Sequence, residues 1–403
     1  MRKRSDYMQT YDFDTLINRQ TQSSKKWELM HTWATDIPEH ISPFSVADAD
    51  LKTAPEIVEG LQEYIQQTVL GYTTMTPDYK KAIKQWNKDQ FNWDIEEEWI
   101  STSPGIVSAL HSAIYAFTQP NDNVLIMTPV YPQFKQTVLH TGRTVLASSL
   151  INDFPTYHID FQDLEEKMSL KETTLMILCS PHNPVGRVWT KEELDKIISL
   201  ALTYDVLIVS DEIHYDLIMP NHTHHVLPTL SKEIEQKCIV CTAPSKSFNL
   251  AGLQISSIII PNETLRERFT HTQLIHGVPS ANMIGMQATA IAYTQGKQWL
   301  EAFLALIWTN HLTVKDFMET HLPKVKVYAL QGTYLQWLDF SAYGFSTTTL
   351  QNLLRQDAFV FCNEGYTFGK EGYGFERLNL ACPTSTLIDA LHRLKDSLSR
   401  YEH

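Results

Sequence analysis

Residues 242–253, TAPSKSFNLAGL, place one lysine among small, apolar and turn-forming neighbours directly after a strand-like run. A lysine ammonium loses part of its preference for the charged state when it is desolvated, and the free amine can then condense with a carbonyl. Lys246 is therefore a candidate for Schiff-base chemistry. Most lysines are solvated surface charges, so the assignment depends on what accompanies Lys246 in the rest of the chain.

Two further strand-like runs end in polar groups. The apolar run VLIVS at 206–210 ends in Asp211, and the run TLMILCS at 174–180 ends in the loop PHNPVGR at 181–187. Ligands of open α/β sheets bind at the carboxyl ends of the strands. There Asp211 could pair with a protonated ring nitrogen, and Asn183 could hydrogen-bond a phenolate-like oxygen. The alternatives are a helix cap for Asp211 and a turn-stabilising role for Asn183.

In this order and spacing, the three segments resemble those of the fold-type I pyridoxal 5'-phosphate enzymes. More narrowly, PHNPVGRVW at 181–189, APSKSFN at 243–249 and RLNLACP at 377–383 resemble the MalY/PatB-type cystathionine β-lyases, and the likeness runs nearly end to end. The resemblance implies an aspartate aminotransferase-like α/β fold, with a mostly parallel central sheet in a large domain and a smaller α+β domain. The expected parts are an N-terminal arm with part of the small domain at 1–53, the large cofactor-binding domain at 54–290 and the small C-terminal domain at 291–403.

The resemblance also assigns residues to a site. It implies pyridoxal 5'-phosphate as cofactor and no metal. The catalytic residues that it implies are Lys246, Asp211 and Tyr131, the last of which stacks on the pyridine ring. Cofactor binding is expected from Lys246, Gly105, Ile106, Val107, Tyr131, Asn183, Asp211, His214, Tyr215, Ser245 and Tyr72, and substrate binding from Arg377, Asn183 and Tyr131.

The phosphate contacts depart from those of the related aminotransferases. The run SPGIVSAL at 103–110 supplies a glycine turn that opens a helix, and helix starts present free backbone N–H groups to anions. The aminotransferases usually carry a serine or threonine three residues before the lysine and an arginine eight residues after it, where this chain has Ala243 and Gln254. The missing phosphate contacts are expected to be replaced by Ser245 and Gln254 of the same chain and by Tyr72 of a partner subunit. This departure favours the lyase branch, and a shared site implies a homodimer.

The reaction implied by the resemblance is β-elimination from a sulfur amino acid. Arg377 would bind the substrate α-carboxylate, and the amine of Lys246 would remove the Cα proton while the cofactor absorbs the electrons. L-Cystathionine would give homocysteine, pyruvate and ammonia, whereas L-cysteine would release sulfide and related S-substituted cysteines would release thiols. Two alternatives stay open: a class I/II aminotransferase, and a cofactor-binding regulatory protein that interacts with a transcription activator.

Composition is that of a globular protein with a large core, since 43% of the 403 residues are hydrophobic and 20% are charged. The formal net charge of -13 argues against nucleic acid or an anionic membrane as a partner. Five cysteines suit a reducing compartment, and the basic start lacks a following apolar run, so a cytoplasmic location is predicted. Cys238 and Cys241 are expected to be buried hydrophobes, and His222, His224 and His225 to lie in a polar loop rather than at a metal.

The pattern of apolar residues predicts an irregular arm to about residue 53, followed by alternating helices and strands to about residue 290. Helices are expected at 55–69, 77–91, 104–117 and 191–203, helical periodicity from about 281 to 319, strands at 325–328, 334–338 and 377–380, and a closing helix from about 385.

Overall fold

The computed structural model describes residues 11–278 and 282–401. In chain order the strands are β1 Ile100–Ser103, β2 Asn123–Thr128, β3 Thr144–Ser149, β4 Ile151–Asp153, β5 Thr156–His158, β6 Thr173–Cys179, β7 Leu207–Asp211, β8 Cys238–Thr242, β9 Ser256–Ile259, β10 Lys326–Val327, β11 Leu335–Asp339, β12 Asn363–Glu364 and β13 Phe375–Asn379. The helices are α1 Lys25–Trp33, α2 Pro55–Gln67, α3 Pro77–Phe91, α4 Ile106–Phe117, α5 Pro132–His140, α6 Phe161–Met168, α7 Lys191–Thr203, α8 Lys232–Glu235, α9 Pro244–Ser247, α10 Glu263–Ile275, α11 Met283–Gln295, α12 Lys297–His321, α13 Thr347–Asn352 and α14 Thr384–Leu398.

The central sheet has seven strands in the order β1-β9-β8-β7-β6-β2-β3. Strands β2, β3, β6, β7 and β8 pair in parallel, whereas β9 is antiparallel to both of its neighbours. The middle strands β7 and β8 are buried along their whole length, as expected for a parallel sheet covered by helices on both faces. We call this sheet with its covering helices the large lobe. The carboxyl ends of its parallel strands share one edge, so the polar residues that follow them converge there.

A second, antiparallel sheet with the order β10-β11-β13-β12 forms the small lobe together with α12 and α14. Its strand β13 carries Arg377, whose register partners are Trp337 on β11 and Asn363 on β12. A separate hairpin joins β4 to β5. Within residues 11–278 and 282–401, every helix is too short or too polar to span a lipid bilayer.

Most predicted elements lie where the sequence pattern puts them. Helices α3 and α7 occupy the expected ranges, and α4 begins two residues later than expected because Gly105, with φ of +85°, is its N-cap rather than a helical residue. The prediction of an irregular arm was wrong for α1, which has only nine residues. Its buried side packs Trp27 and Met30 against Phe361 of the small lobe.

A buried ion pair anchors α1 to the rest of the chain. The side chains of Lys26 and Asp50 are almost completely buried, with Nζ 2.7 Å from a carboxylate oxygen. Asp50 also accepts hydrogen bonds from Trp27 Nε1 at 3.1 Å and from Arg19 at 3.3 Å. Buried charges are costly unless they are paired, so this arrangement holds the arm in one position. Asp50 ends the segment 46–50, which reaches the functional site.

Candidate active site

A pocket of about 770 Å³ opens at the carboxyl edge of the central sheet, with walls from both lobes. The large-lobe wall of this pocket is formed by the carboxyl ends of β1, β2, β6, β7 and β8 and by the turns that follow them. Ten of the sequence-predicted site residues line it together with Gln254: Gly105, Ile106, Val107, Tyr131, Asn183, Asp211, His214, Ser245, Lys246 and Arg377.

Lys246 lies on the short helix α9, which begins two residues after the end of β8. Its Nζ donates a hydrogen bond of 2.6 Å to the carbonyl oxygen of Ala47, which also accepts a bond of 2.8 Å from the Tyr334 hydroxyl. Burial lowers the pKa of Lys246 to about 8, and the positive charge of Arg377 adds to this effect. The amine therefore reaches its uncharged, nucleophilic form within a pH unit of neutrality.

The segment 46–50 presents the Ala47 carbonyl to Lys246. Asn249 brackets Ala49, because its side chain accepts from the Ala49 N–H and donates to the Ala49 carbonyl, each at 2.9 Å. Asn379 donates to the carbonyls of Val46 at 2.9 Å and Asp48 at 2.7 Å. These amide side chains fix the backbone on both sides of residue 47.

Asp211 is the last residue of β7 and is buried beneath the pocket. One carboxylate oxygen accepts a 3.1 Å hydrogen bond from the backbone N–H of Ile213. Burial raises the pKa of Asp211 to about 7, against the opposing effects of that bond and of the Lys246 charge. A cationic group that faced this carboxylate would stabilise its ionised form.

His214 follows Asp211 by one turn and also lines the pocket. Its ring is buried edge-on to Tyr334, with ring centroids 6.2 Å apart, and Nδ1 has no hydrogen-bond partner in the described part of the chain. Burial lowers the pKa of His214 well below its usual value, and the charges of Lys246 and Arg377 act in the same direction. The imidazole is therefore neutral, and its Nδ1 is a buried polar atom that no described residue satisfies.

Arg377 enters the pocket from the small lobe. It is only 4% exposed, yet its hydrogen-bond partners are two neutral amides: Asn183 Oδ1 at 2.9 Å and Asn363 Oδ1 at 2.6 Å. The ring of Phe368 lies 4.8 Å from the guanidinium, and Nε has no partner among the described residues. Burial lowers the pKa of Arg377 to about 10, so it stays charged near neutrality. A buried guanidinium held by amides alone is suited to bind an incoming carboxylate.

The opposite wall has the features of an anion cradle. Gly105 adopts φ of +85°, a conformation that favours glycine, and no atom lies within 4 Å of the position that a Cβ would take. The first backbone N–H groups of α4, from Ile106 onward, follow it directly. Ser245 and Gln254 line the same pocket, and Gln254 has φ of +47°. A phosphate fits such a helix start with flanking polar side chains.

Tyr131 is the N-cap residue of α5, directly after the turn that follows β2. Its ring meets Phe134 edge-on with centroids 5.9 Å apart, and it lines the pocket beside Asn183. Burial raises the pKa of the Tyr131 hydroxyl. The hydroxyl is therefore neutral, and the ring is placed to stack on a planar ligand.

The structure does not bring Tyr215 into the pocket, which corrects its assignment to the cofactor. The turn after β7 points this ring away from the site: it stacks on Phe91 at 4.5 Å, and its hydroxyl lies 3.3 Å from that of Tyr293. His214 takes the pocket position instead. Tyr72 lies outside the pocket of its own chain and is fully exposed.

Several pocket residues were not predicted from the sequence. Ala47 contributes only a backbone carbonyl, which no residue pattern reveals. Asn363 was missed because its pairing with Arg377 depends on the register of β12 and β13, which the sequence does not show. Phe368, Lys25 and Leu29 also line the pocket without having been predicted. Tyr334 does not line it but donates a hydrogen bond to the Ala47 carbonyl.

Cys238 and Cys241 are both buried in β8, as the sequence predicted. The histidine loop differs from the prediction, because His224 is buried with its Nε2 2.7 Å from a carboxylate oxygen of Glu212. Among residues 11–278 and 282–401, no group of three or more His, Cys, Asp or Glu side chains is arranged to hold a metal ion.

Comparison with known proteins identifies the class. Residues 40–394 match the family Aminotransferase class I and II, so the chain belongs to that family. It is 41% identical to cystathionine beta-lyase PatB of Bacillus subtilis (strain 168) over 89% of this chain and 92% of PatB. It is 30% identical to protein MalY of Escherichia coli (strain K12) over 94% of this chain and 96% of MalY. The crystal structure of cystalysin from Treponema denticola, which contains a pyridoxal 5'-phosphate cofactor, is 42% identical, with a TM-score of 0.96 over 97% of this chain and 99% of cystalysin.

Within that class, the chain groups with the MalY/PatB-type carbon–sulfur lyases and is a pyridoxal 5'-phosphate-dependent enzyme. The fold expected from the sequence is confirmed. The pocket itself fits the cofactor: the amine of Lys246 lies in the same cavity as the Asp211 carboxylate and the Gly105 cradle. This cofactor requires an amine for its aldehyde, an acid for its ring nitrogen and a helix start for its phosphate.

Proposed function

We propose that the enzyme cleaves the Cβ–S bond of L-cystathionine, and of L-cysteine and related S-substituted cysteines, consuming one water and releasing thiol or sulfide, pyruvate and ammonia. The observation that supports this best is the pairing of Arg377 with Lys246 in one pocket. The first is a buried guanidinium without a carboxylate partner in the described residues, and the second is an amine with a lowered pKa. Together they suit an α-amino acid held by its carboxylate with Cα beside a base.

When bound, pyridoxal 5'-phosphate supplies an electron sink for the charge that remains when Cα loses its proton. Lys246 would hold the cofactor, and its Nζ would then take the Cα proton as general base. The Ala47 carbonyl accepts a hydrogen bond from Nζ at 2.6 Å, so it would hold the resulting ammonium in place. Loss of the thiolate from Cβ follows once that proton has been removed.

Arg377 would bind the substrate carboxylate through its planar fork. Its two amide partners come from different lobes: Asn183 follows β6 of the large lobe, whereas Asn363 belongs to β12 of the small lobe. Both lobes therefore hold the guanidinium that would bind the substrate.

The remaining predicted residues are assigned to the cofactor. Asp211 would keep the ring nitrogen protonated, since a cation in front of this carboxylate offsets the burial that raises its pKa. Tyr131 would stack on the ring. Contacts to the phosphate would come from Gly105, Ile106, Val107, Ser245 and Gln254, and contacts to the phenolic oxygen and ring edge from Asn183 and His214.

A homodimer with a shared site is part of the proposal. Apolar side chains are exposed near Tyr72 and on α10, where a second subunit would cover them. They are Val69, Leu70, Tyr72, Leu274 and Ile275. In this arrangement Tyr72 would reach the phosphate of the neighbouring subunit. The five buried free cysteines support a reducing, cytoplasmic location.

The test is a product assay on purified, cofactor-loaded enzyme with L-cystathionine. Pyruvate and free thiol should appear in equal amounts without an added keto acid. Lys246→Ala should form neither product, and borohydride should trap the cofactor on the peptide that carries Lys246 in the wild type alone. A product that depends on added keto acid, with no pyruvate from the substrate, would show an aminotransferase instead.

A further inference from the structure

Helix α1 contributes a lysine to the pocket that the proposed mechanism does not use. Lys25 and Leu29 both line the pocket, and a spacing of four residues puts them on the same side of the helix. Lys25 is exposed at the pocket wall, while Leu29 is half-buried. Within residues 11–278 and 282–401, the side chain of Lys25 forms neither an ion pair nor a hydrogen bond.

The fold does not explain a cation at this position. Lys25 is the first residue of α1, where a positive charge opposes the helix dipole. Its neighbour Lys26 is neutralised by Asp50 at 2.7 Å, but no acid in the described part of the chain forms an ion pair with Lys25. Its charge is therefore available to a ligand.

The pocket is rich in positive charge. Its lining holds the side chains of Lys25, Lys246 and Arg377 but only one carboxylate, that of Asp211. Lys246 and Arg377 are committed to the reacting amino acid, and the phosphate cradle lies on the large lobe at the start of α4. Lys25 is left without a role at the reacting centre.

Lys25 belongs to the substrate side of the pocket. Helix α1 packs through Trp27 and Met30 onto Phe361, two residues before the Asn363 that holds Arg377. The helix is thus attached to the same part of the small lobe as the carboxylate clamp. Lys25 and Leu29 line the same cavity as Arg377, so α1 forms one of the walls around a substrate that Arg377 holds.

We propose that Lys25 binds the carboxylate on the leaving-group half of the substrate, with Leu29 in contact with the methylenes of that half. This inference rests on the proposed function and narrows its substrate class. The leaving half of L-cystathionine has two methylenes followed by an amino acid head group, whereas S-methyl-L-cysteine has only a methyl group on sulfur. The enzyme therefore selects thioethers whose leaving thiol carries a carboxylate.

The experiment compares kcat and KM of the cofactor-loaded enzyme for L-cystathionine and S-methyl-L-cysteine. Lys25→Ala should raise KM for L-cystathionine about tenfold, the loss expected for one charge-assisted hydrogen bond, with kcat changed less than about twofold. For S-methyl-L-cysteine, KM should change less than about twofold, because its leaving group has no carboxylate for Lys25 to bind. Lys25→Arg should restore most of the affinity for L-cystathionine.

Lys171→Ala is the matched control, since Lys171 is an exposed lysine just before β6, at the sheet edge away from the pocket. It should leave both substrates unchanged. Equal losses for both substrates in Lys25→Ala, or no loss for either, would overturn the role of Lys25 while leaving the lyase intact. A wild-type enzyme that releases pyruvate from neither substrate would refute the proposed function, and the inference about Lys25 with it.

Discussion

Lys246 and Asp211 have pKa values near 8 and 7, so both change protonation state in ordinary buffers. Burial is the main cause for each residue, but it acts in opposite directions, because it disfavours the ammonium of one and the carboxylate of the other. The same burial makes Lys246 a competent nucleophile and makes Asp211 ready to receive a cationic ring nitrogen. The ligand-free pocket therefore bears a cost that a bound cofactor would relieve.

That cost predicts the effect of Asp211→Asn on the apoenzyme. The pKa of Asp211 rises from 3.8 to about 7 on folding, so the wild type loses stability as pH rises through this interval. A neutral asparagine keeps an oxygen for the Ile213 N–H and avoids the loss. Asp211→Asn apoenzyme should be more stable than the wild type by about 1–4 kcal/mol at pH 8.

Urea unfolding of both apoproteins at several pH values measures this difference. The gain should shrink as pH falls from about 7 toward 4, because the wild-type side chain is then protonated in the fold. The variant should nevertheless lose β-elimination activity. A stability difference that is the same at pH 5 and pH 8 would contradict the argument.

Gln254 gives a second prediction, which concerns cofactor affinity. Its backbone has φ of +47°, and arginine adopts this conformation at much the same cost as glutamine. Gln254→Arg would add a charged donor to the cradle, so the dissociation constant for pyridoxal 5'-phosphate should fall about fivefold to tenfold. Equilibrium dialysis of the apoenzyme measures it. Gln254→Leu, which removes the polar group, is the control. Weaker cofactor binding by the arginine variant would mean that the phosphate does not lie near residue 254.

Helix α1 and the segment 46–50 act as one unit. The buried pair of Lys26 and Asp50 joins them, and Asn249 and Asn379 continue the attachment up to the Ala47 carbonyl that receives Lys246. The arm is therefore part of the active-site scaffold.

Removing one partner of the buried pair should show how much the arm contributes. Lys26→Met would remove the 2.7 Å partner of the buried Asp50 carboxylate and leave it only Arg19 and Trp27, at a cost of about 1–3 kcal/mol in the free energy of unfolding. Lys25→Met, one position away on the exposed side, is the control and should change stability by less than about 0.5 kcal/mol. Urea unfolding compares the two. Equal effects would mean that the buried pair contributes nothing specific.

The whole molecule offers a test of the shared site. If Tyr72 completes the neighbouring pocket, each site takes Lys246 from one subunit and Tyr72 from the other. Tyr72→Ala and Lys246→Ala then remove residues that different subunits contribute to the same site. Co-refolding the two inactive proteins in equal amounts should give hybrids with one intact site, and about a quarter of the wild-type activity. The coupled pyruvate assay measures it. Activity no higher than the sum of the two parents would show that Tyr72 serves its own chain or neither.

The order of elements and most of the pocket could be predicted from the sequence because the polar residues follow apolar strands at one sheet edge. Asp211, Asn183 and Lys246 are all of this kind. The role of Tyr215 was wrong because spacing along a turn does not tell which way a ring points, and His214 occupies the pocket instead.

Other features depend on contacts between distant segments, which no local pattern encodes. Helix α1 was missed because its buried face depends on Asp50 and Phe361. The domain boundaries stay predictions, since α11 and α12 meet directly at Gly296 near the expected division.

The contact between Arg377 and Asn183 joins residues 194 positions apart. A nascent chain therefore cannot form this carboxylate clamp until translation has passed residue 377. A polypeptide that ends before Arg377 would contain the Lys246 amine and the Gly105 cradle. It would lack the guanidinium that binds the carboxylate of the amino acid. Termination before residue 377 would thus abolish turnover although much of the cofactor-facing wall had already been made.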